Sequence, residues 1–359
     1  MSKRNVVCYH HNDLDGKSAG WIVYQNNKIY STADNYHSTT YEDPFNKHTA
    51  NDDVYIVDIS ISDKTYKMFI DAIKNAKSVT WIDHHKTSVD IIEAHKDELD
   101  SLKNLTSFVS ENGCGALLTY VWFESMAESI NGHKVFLRPG EYIVPFANKP
   151  VKDKVSFGID KFAKDGSKIN AYSNFINIPS WLMYVDDYDR WQKQHTATDD
   201  FTCATDSYDT AVTKWNPDSK LRVFNTSFWE KVMTVDNVPY LIKEGTIINR
   251  YITSKYIKEN VDMFEWEYEG TKFLCKNGSG NSWNFGSLFE KYDACILFRY
   301  TGRSGLWLHS VYSDEKSKFN CERFCKKFGG GGHVHASGFS VDKPVMFEMG
   351  TVQPIQKKD

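Results

Sequence analysis

VVCYHHNDLDGKSAGW, residues Val6–Trp21, changes character twice in sixteen positions. Val6 to Tyr9 is a short apolar run of the kind that forms a buried strand. His11, Asp13 and Asp15 then alternate with Asn12 and Leu14, and Gly16 opens a stretch that reads as a helix through Gln25. A calcium loop needs oxygen ligands at positions 1, 3 and 5, Gly at 6 and Glu at 12. Counted from His11, the first ligand is an imidazole and the twelfth residue is Ile22, so calcium is excluded. A solvated turn would explain this stretch alone, because Asp and Asn are common in turns.

Two further stretches weigh against the turn. VYIVDIS (54–60) is an apolar strand pattern ending at Asp58, and TWIDHHKTS (80–88) is another, ending at Asp83-His84-His85. Between them, Asp63 to Lys77 carries Tyr66, Phe69, Ile70 and Ile73 at helical spacing. Strand and helix signals therefore alternate over the first ninety or so residues, which predicts an α/β domain with a parallel sheet. Ligands bind such sheets beyond the carboxyl ends of the strands. Three strands that each end in a carboxylate would deliver His11, Asp13, Asp15, Asp58, Asp83, His84 and His85 to one edge. A mixed imidazole and carboxylate set suits two transition-metal ions, which need a bridging anion.

Composition bounds the answer. The chain has 359 residues, long for one core, so two domains are expected. It is 41% hydrophobic and 25% charged, a globular balance, and its net charge of −4 argues against gripping long nucleic acid through backbone charge. No apolar run is long enough to span a bilayer, and no secretory signal is visible. Seven scattered cysteines suit a reducing, cytoplasmic setting. Cys321, Cys325 and His333 have a zinc-like look without a fourth ligand, and small core residues are the simpler reading.

Farther along, Gly115 to Ile130 reads as a buried helix, residues 131–175 as a turn-rich insertion, and Ile178 to Trp191 as a helix. Trp181, Tyr184, Tyr188 and Trp191 recur at helical spacing, a pattern of core packing before base stacking. Residues 196–240 read as a linker, and 241–350 as a smaller α+β domain with a helix at Lys243–Asn260 and four strand-like runs. These runs precede FGGGGHVHASGF (328–339), where glycines would let backbone amides approach a phosphate.

Taken in order, His11-x-Asp13-x-Asp15-Gly16, Asp58 and Asp83-His84-His85 resemble the DHH phosphoesterase superfamily. Gly329 to His333, with Ala336 and Gly338, resembles the glycine-rich motif of its DHH-associated C-terminal domain. YVDDYDRW (184–191) offers Asp186, Asp187 and Asp189 for the fourth motif. Asp189 is preferred, because an Asp two residues before a Trp resembles the oligoribonuclease, or nano-RNase, branch, and the choice among the three stays open. The motifs span nearly the whole chain. One departure is that HSVYS (309–313) lacks the Arg expected before the glycine loop, for which Arg303 or His309 would have to substitute.

The resemblance implies a catalytic domain over residues 1–195 and a substrate-binding domain over 241–350. It implies one divalent cation, manganese by preference, on His11, Asp13 and Asp58, and a second on Asp15, Asp58, His84 and Asp189. His85 would act on the substrate phosphate, with Asp83 orienting a neighbouring His. Gly330, Gly331, Gly332, His333 and Arg303 would bind substrate. The implied activity is hydrolysis of short oligonucleotides or dinucleotides to mononucleotides, as a nuclease and phosphoric diester hydrolase. The alternatives are a cyclic nucleotide or cyclic oligonucleotide phosphodiesterase, for signal degradation, and a non-catalytic nucleotide-binding protein. A homodimer is left open.

Overall fold

The computed structural model describes residues 5–39, 45–127, 129–130, 133–134, 142–147, 156–162, 172–192, 194–214, 226–231, 233–258, 263–302 and 304–354. The chain divides into two compact units, Met1–Gly245 and Thr246–Asp359.

The first unit is built on five parallel strands, β1 (Asn5–His11), β2 (Tyr36–Thr39), β3 (Asp52–Val57), β4 (Ser78–Asp83) and β5 (Leu105–Val109), in the order β2-β1-β3-β4-β5. Helices α1 (Leu14–Asn27), α2 (Asp63–Lys74), α3 (Lys86–Ala94), α4 (Lys96–Ser101) and α5 (Gly115–Ala127) make the connections. Alternate residues of β1 feed two separate cores. Val6 and Cys8 pack with Ile22 and Val23 of α1 and Leu117 and Val121 of α5. Val7 and Tyr9 pack with Phe69 and Ile73 of α2 and Trp81 of β4. A parallel sheet covered on both faces needs apolar residues at both parities, which is why β3 is buried along its whole length. In this strand order the chain leaves β1 toward one side and returns at β3 on the other, so the crevice opens at their carboxyl ends.

The α/β expectation for this unit and the α+β expectation for the second agree with the structure, the second unit having a mixed sheet. Strand β2 and the pair α3–α4 had no clear sequence signal. Tyr36–Thr39 is a short, polar edge strand, and polar Lys and Glu fill much of the two short helices.

Beyond α5 come β6 (Ser129–Ile130) and β7 (His133–Lys134), then β8 (Tyr142–Ala147), β9 (Ser156–Phe162) and β10 (Tyr172–Asn177) in an antiparallel sheet of their own. Within residues 131–175, expected as an insertion, the described residues are those of β7, β8, β9 and part of β10, and the rest lies outside the described residues. Helix α6 (Ser180–Asp189) then packs against α1 and α5. Its Trp181 is in the core, and Tyr184 stacks on Phe201 at 5.1 Å.

Residues 196–240 differ from the linker reading. They hold α7 (Thr198–Lys214), α8 (Thr226–Lys231) and the start of α9 (Val238–Lys258). Phe201, Ala204, Phe228, Trp229, Met233 and Val238 join the first unit's core. Polar residues on the outer faces of these short helices dilute the apolar signal, and the division falls at Gly245 instead.

The second unit carries β11 (Met263–Tyr268), β12 (Thr271–Asn277), β13 (Ala294–Thr301), β14 (Leu306–Tyr312), the short helix α10 (Cys321–Lys326), β15 (Gly331–Gly332), β16 (Ala336–Val341) and β17 (Thr351–Pro354). Its sheet order is β15-β16-β14-β13-β12-β11-β17, with only the β12–β13 pair parallel. Cys321 and Cys325 lie in its aromatic core beside Phe324, and burial pushes both thiols up, as small core residues rather than thiolate ligands. No described helix is long and apolar enough to cross a membrane.

Because Phe201 is fully buried, Phe201→Ala is expected to cost the protein about 3–5 kcal/mol. A residue in a true linker would cost next to nothing, and denaturant unfolding followed by tryptophan fluorescence distinguishes the two.

Candidate metal centre

The carboxyl end of β1 turns into α1 through Asp13, which caps the helix by accepting from Gly16 N at 2.8 Å. Its other oxygen meets His11 Nδ1 at 2.5 Å. One carboxylate therefore ends the strand, starts the helix and orients an imidazole. Gly16 lies in the first turn of α1 rather than in a free loop. A Cβ there would sit 2.5 Å from the His11 carbonyl oxygen, so the residue is small because the strand end passes over it.

Asp15, buried in the first turn of α1, is held by another helix. Its two oxygens accept from the Gly115 and Ala116 amides at 2.7 and 2.8 Å, the first free donors of α5. At the end of β3, Asp58 adopts φ 55°, an uncommon conformation for a residue with a side chain. Its amide still donates to Ile82 at 2.9 Å, so the kink begins only after the sheet is complete. Gly115 permits this, since a Cβ there would fall 2.5 Å from Asp58 Cβ. Nothing in the sequence around Gly115 pointed to this contact with a residue 57 positions away, though a helix starting on Gly is a weak signal of close approach.

His84, just past β4, is buried, and its Nε2 lies 3.2 Å from Asp58 Oδ1, 3.3 Å from Asp189 Oδ2 and 3.7 Å from Asp15 Oδ2. The structure separates the three candidates on α6. Asp186 accepts from Cys114 N at 2.8 Å and from Arg190 at 2.8 and 2.5 Å, tying α6 to the start of α5. Asp187 accepts from Gln194 N, His195 N and the Thr198 hydroxyl, closing the turn into α7. Asp189 has neither duty and faces His84. Sets of ligand atoms mutually within 4.8 Å include His11, Asp13 and Asp58, then Asp15, His84 and Asp189, and also Asp58, Asp83, His84 and His85.

Asp58 Oδ1 and Asp189 Oδ2 are buried and accept no hydrogen bond. Buried carboxylate oxygens are costly unless hydrogen-bonded or bound to a cation, so this donor set fits a divalent ion. The electrostatics agree. Burial, then the facing Asp189 charge, push Asp15 up to about 7. Asp189 rises to about 7 through burial and Asp13. Asp58 is pushed well above its ordinary value by burial and by Asp15. Burial also disfavours charge on Asp13, but the His11 charge and hydrogen bond override it and hold that carboxyl well below the usual range. His84 is lowered by burial and by His85, leaving the neutral imidazole that ligates metals.

His85 behaves differently. Burial opposes its cation, yet the Asp83 charge and a 2.8 Å bond from Nδ1 to Asp83 Oδ1 raise it to about 9. The pair is thus an imidazolium held by a fully buried carboxylate. His10 lies under Gly20, away from this cluster, and burial lowers it to about 4.

In the second unit, Gly329 and Gly330 follow α10, their amides donating to the Lys326 and Cys325 carbonyls at 3.2 and 3.0 Å, and Gly331 and Gly332 pair with β16. A Cβ on Gly330 would lie 2.1 Å from the Gly338 oxygen of β16, so this glycine packs backbone against backbone. Gly331 and Gly332 form β15, and His333 exchanges backbone bonds with Ala336 at 2.8 and 3.3 Å. Arg303 lies outside the described residues. His309 does not substitute for it. It is fully buried, stacked on Phe339 at 4.5 Å, with burial lowering it to about 4.

Neither a protein-family model nor a curated protein matches the chain. Solved structures similar to it include the pGpG-specific phosphodiesterase PggH from Vibrio cholerae, at 10% identity and a TM-score of 0.43 over 94% of this chain and 93% of that one. The DHH domain of a member of a ribosomal protein family is similar at 12% and 0.41, over 94% and 82%. An exopolyphosphatase-related protein from Bacteroides fragilis is similar at 11% and 0.37, over 96% and 91%. Likeness at this level carries no chemistry by itself, and the functional reading rests on the site.

Two outcomes are expected. Gly115→Ala displaces Asp58 and lowers divalent-metal affinity about 10–100-fold by calorimetry, with Asp15 and His84 intact. Asp15, Asp58, Asp189 and His85 all bind protons more tightly folded than unfolded. Between pH 6.5 and about 9 the unfolded chain has already released these protons, so the metal-free protein loses stability as pH rises through that window. The lowered His10, His37 and His309 act below it. A divalent cation replaces the protons, so its gain in melting temperature is larger at the top of the window than at the bottom.

Proposed function

We propose that the chain is a metal-dependent phosphodiesterase of the DHH phosphoesterase type, hydrolysing short oligonucleotides or dinucleotides to mononucleotides. The observation that carries this is the convergence of His11, Asp13 and Asp58 with Asp15, His84 and Asp189 at the carboxyl edge of one sheet, with buried carboxylate oxygens that no donor satisfies. The donor set of two imidazoles and four carboxylates suits a pair of divalent ions, manganese by preference. Asp58 is the residue that belongs with both sets, through its membership of the first and its 3.2 Å approach to His84. When bound, the cations supply Lewis-acid activation of water and neutralise phosphate charge.

The rest of the chemistry belongs to the chain. Asp15 and Asp189 orient the site through helices α5 and α6, so its geometry is preorganised. His85, kept protonated by Asp83, uses Nε2–H to stabilise the charge growing on the phosphate and to give a proton to the leaving oxygen. Residues Gly330 to His333 form the phosphate-binding element of the second unit, with Gly331 and Gly332 on the sheet edge. The chain's net charge of −4 favours short substrates over long polymer.

Purified protein with manganese is expected to convert dinucleotides to mononucleotides, resolved by mass. Asp58→Asn keeps a residue that tolerates positive φ and lowers kcat/KM about 100–1,000-fold, with weaker metal binding. His85→Ala lowers kcat about 100-fold or more at unchanged metal affinity. Full activity of Asp58→Asn overturns the assignment.

A further inference from the structure

A cavity of about 300 Å³ in the second unit opens between the β11–β12 turn and α10, using none of the residues assigned above. That volume is at the lower end of small-molecule sites and suits one nucleotide. Its wall is aromatic. Phe319 is half-buried there, braced edge-on by Phe273 at 5.2 Å and packed on Phe324 at 5.5 Å. The ring is therefore held rigid, which lowers the entropy lost when a flat ligand stacks on it.

The same cavity is lined by three cations, Lys318, Arg323 and Lys327. Lys327 is committed, pairing with Glu269 at 2.5 Å and lying 5.7 Å from the Tyr268 ring centre. Cations that cap an aromatic core and snorkel to water account for it. Lys318 and Arg323 are exposed and have no carboxylate partner among the described residues. The chain as a whole is acidic, at −4, so this local excess is not the edge of a generally basic surface.

We propose that this cavity is a second nucleotide subsite, which stacks a base on Phe319 and holds its phosphate between Lys318 and Arg323. A rigid aromatic face beside uncommitted cations is the combination that single-stranded nucleic acid selects. The proposal rests on the nucleic-acid reading above and extends it. The occupant is either a mononucleotide, as released product, or a segment of a longer strand whose end is being hydrolysed.

The test reads binding to the intact, manganese-loaded protein, so it needs no turnover. The probes are AMP, inorganic phosphate and a phosphorothioate strand of about 12 nucleotides, within the usual range of single-strand sites. Lys318→Glu with Arg323→Glu, both exposed, is expected to weaken the strand at least tenfold. The slope of log affinity against log salt should fall by about 0.7, for the one phosphate held between the two cations. Phe319→Leu keeps an apolar side chain, and it should weaken AMP about 5–100-fold while leaving inorganic phosphate unchanged. Dinucleotide hydrolysis should be unaffected in both variants. An effect on AMP and strand alike assigns product binding, and an effect on the strand alone assigns the strand segment. Unchanged strand affinity and salt slope in the charge-reversed protein overturn the proposal, as does unchanged binding of both AMP and the strand in Phe319→Leu. Absent hydrolysis with intact, variant-sensitive binding would count against the metal centre and leave this subsite standing.

Discussion

Burial of like charge is the constraint on which the first unit depends. Asp15, Asp58 and Asp189 bring three carboxylates to within 3.2–3.7 Å of one imidazole nitrogen, away from water. Such a cluster resists ionisation, as the raised values of Asp15 and Asp189 show. A fold selected only for stability would fill this space with apolar side chains. The surrounding structure instead works to hold the carboxylates in place. Two amides of α5 grip Asp15, a glycine clears room for Asp58, and Asp186 pins α6 to α5 through Cys114. Each of these makes sense if the missing charge balance comes from a cation.

The strain at Asp58 belongs to the same logic. Its left-handed backbone conformation is the kind of local cost that persists where the surroundings over-determine it. Here β3 ends in the sheet with a normal hydrogen bond to β4, and the next step swings the carboxylate toward His84. The Asp83–His85 pair beside it is net neutral, because its carboxylate and its imidazolium balance each other. Buried carboxylates and an imidazolium thus sit side by side at the carboxyl edge of the same sheet.

The second unit uses its residues for a different purpose. Its glycine run leads into a strand edge packed backbone to backbone, so Gly330 and Gly332 serve close packing. His309, which stood as one replacement for the Arg lacking before this loop, is sealed between aromatic rings. A histidine on a strand shows the same letter to a sequence reader whether it faces solvent or core, and strand register alone decides.

Much of this protein was legible in the sequence because strand ends carry their own signature. A mostly apolar run with a carboxylate at or just past its end marks β1, β3 and β4, and the parallel order of such units brings His11, Asp13, Asp15, Asp58, His84 and His85 to one edge. What only tertiary structure decided is which groups meet across the fold. Asp186, Asp187 and Asp189 differ by three positions on one helix, and the partners that separate them, Cys114, Thr198 and His84, come from α5, α7 and β4. The role of Gly115 and the capture of α7 and α8 by the first core are contacts of the same kind. Local periodicity encodes where an element begins and which face is apolar. Long-range packing determines which side chain faces which, and no local pattern carries that information.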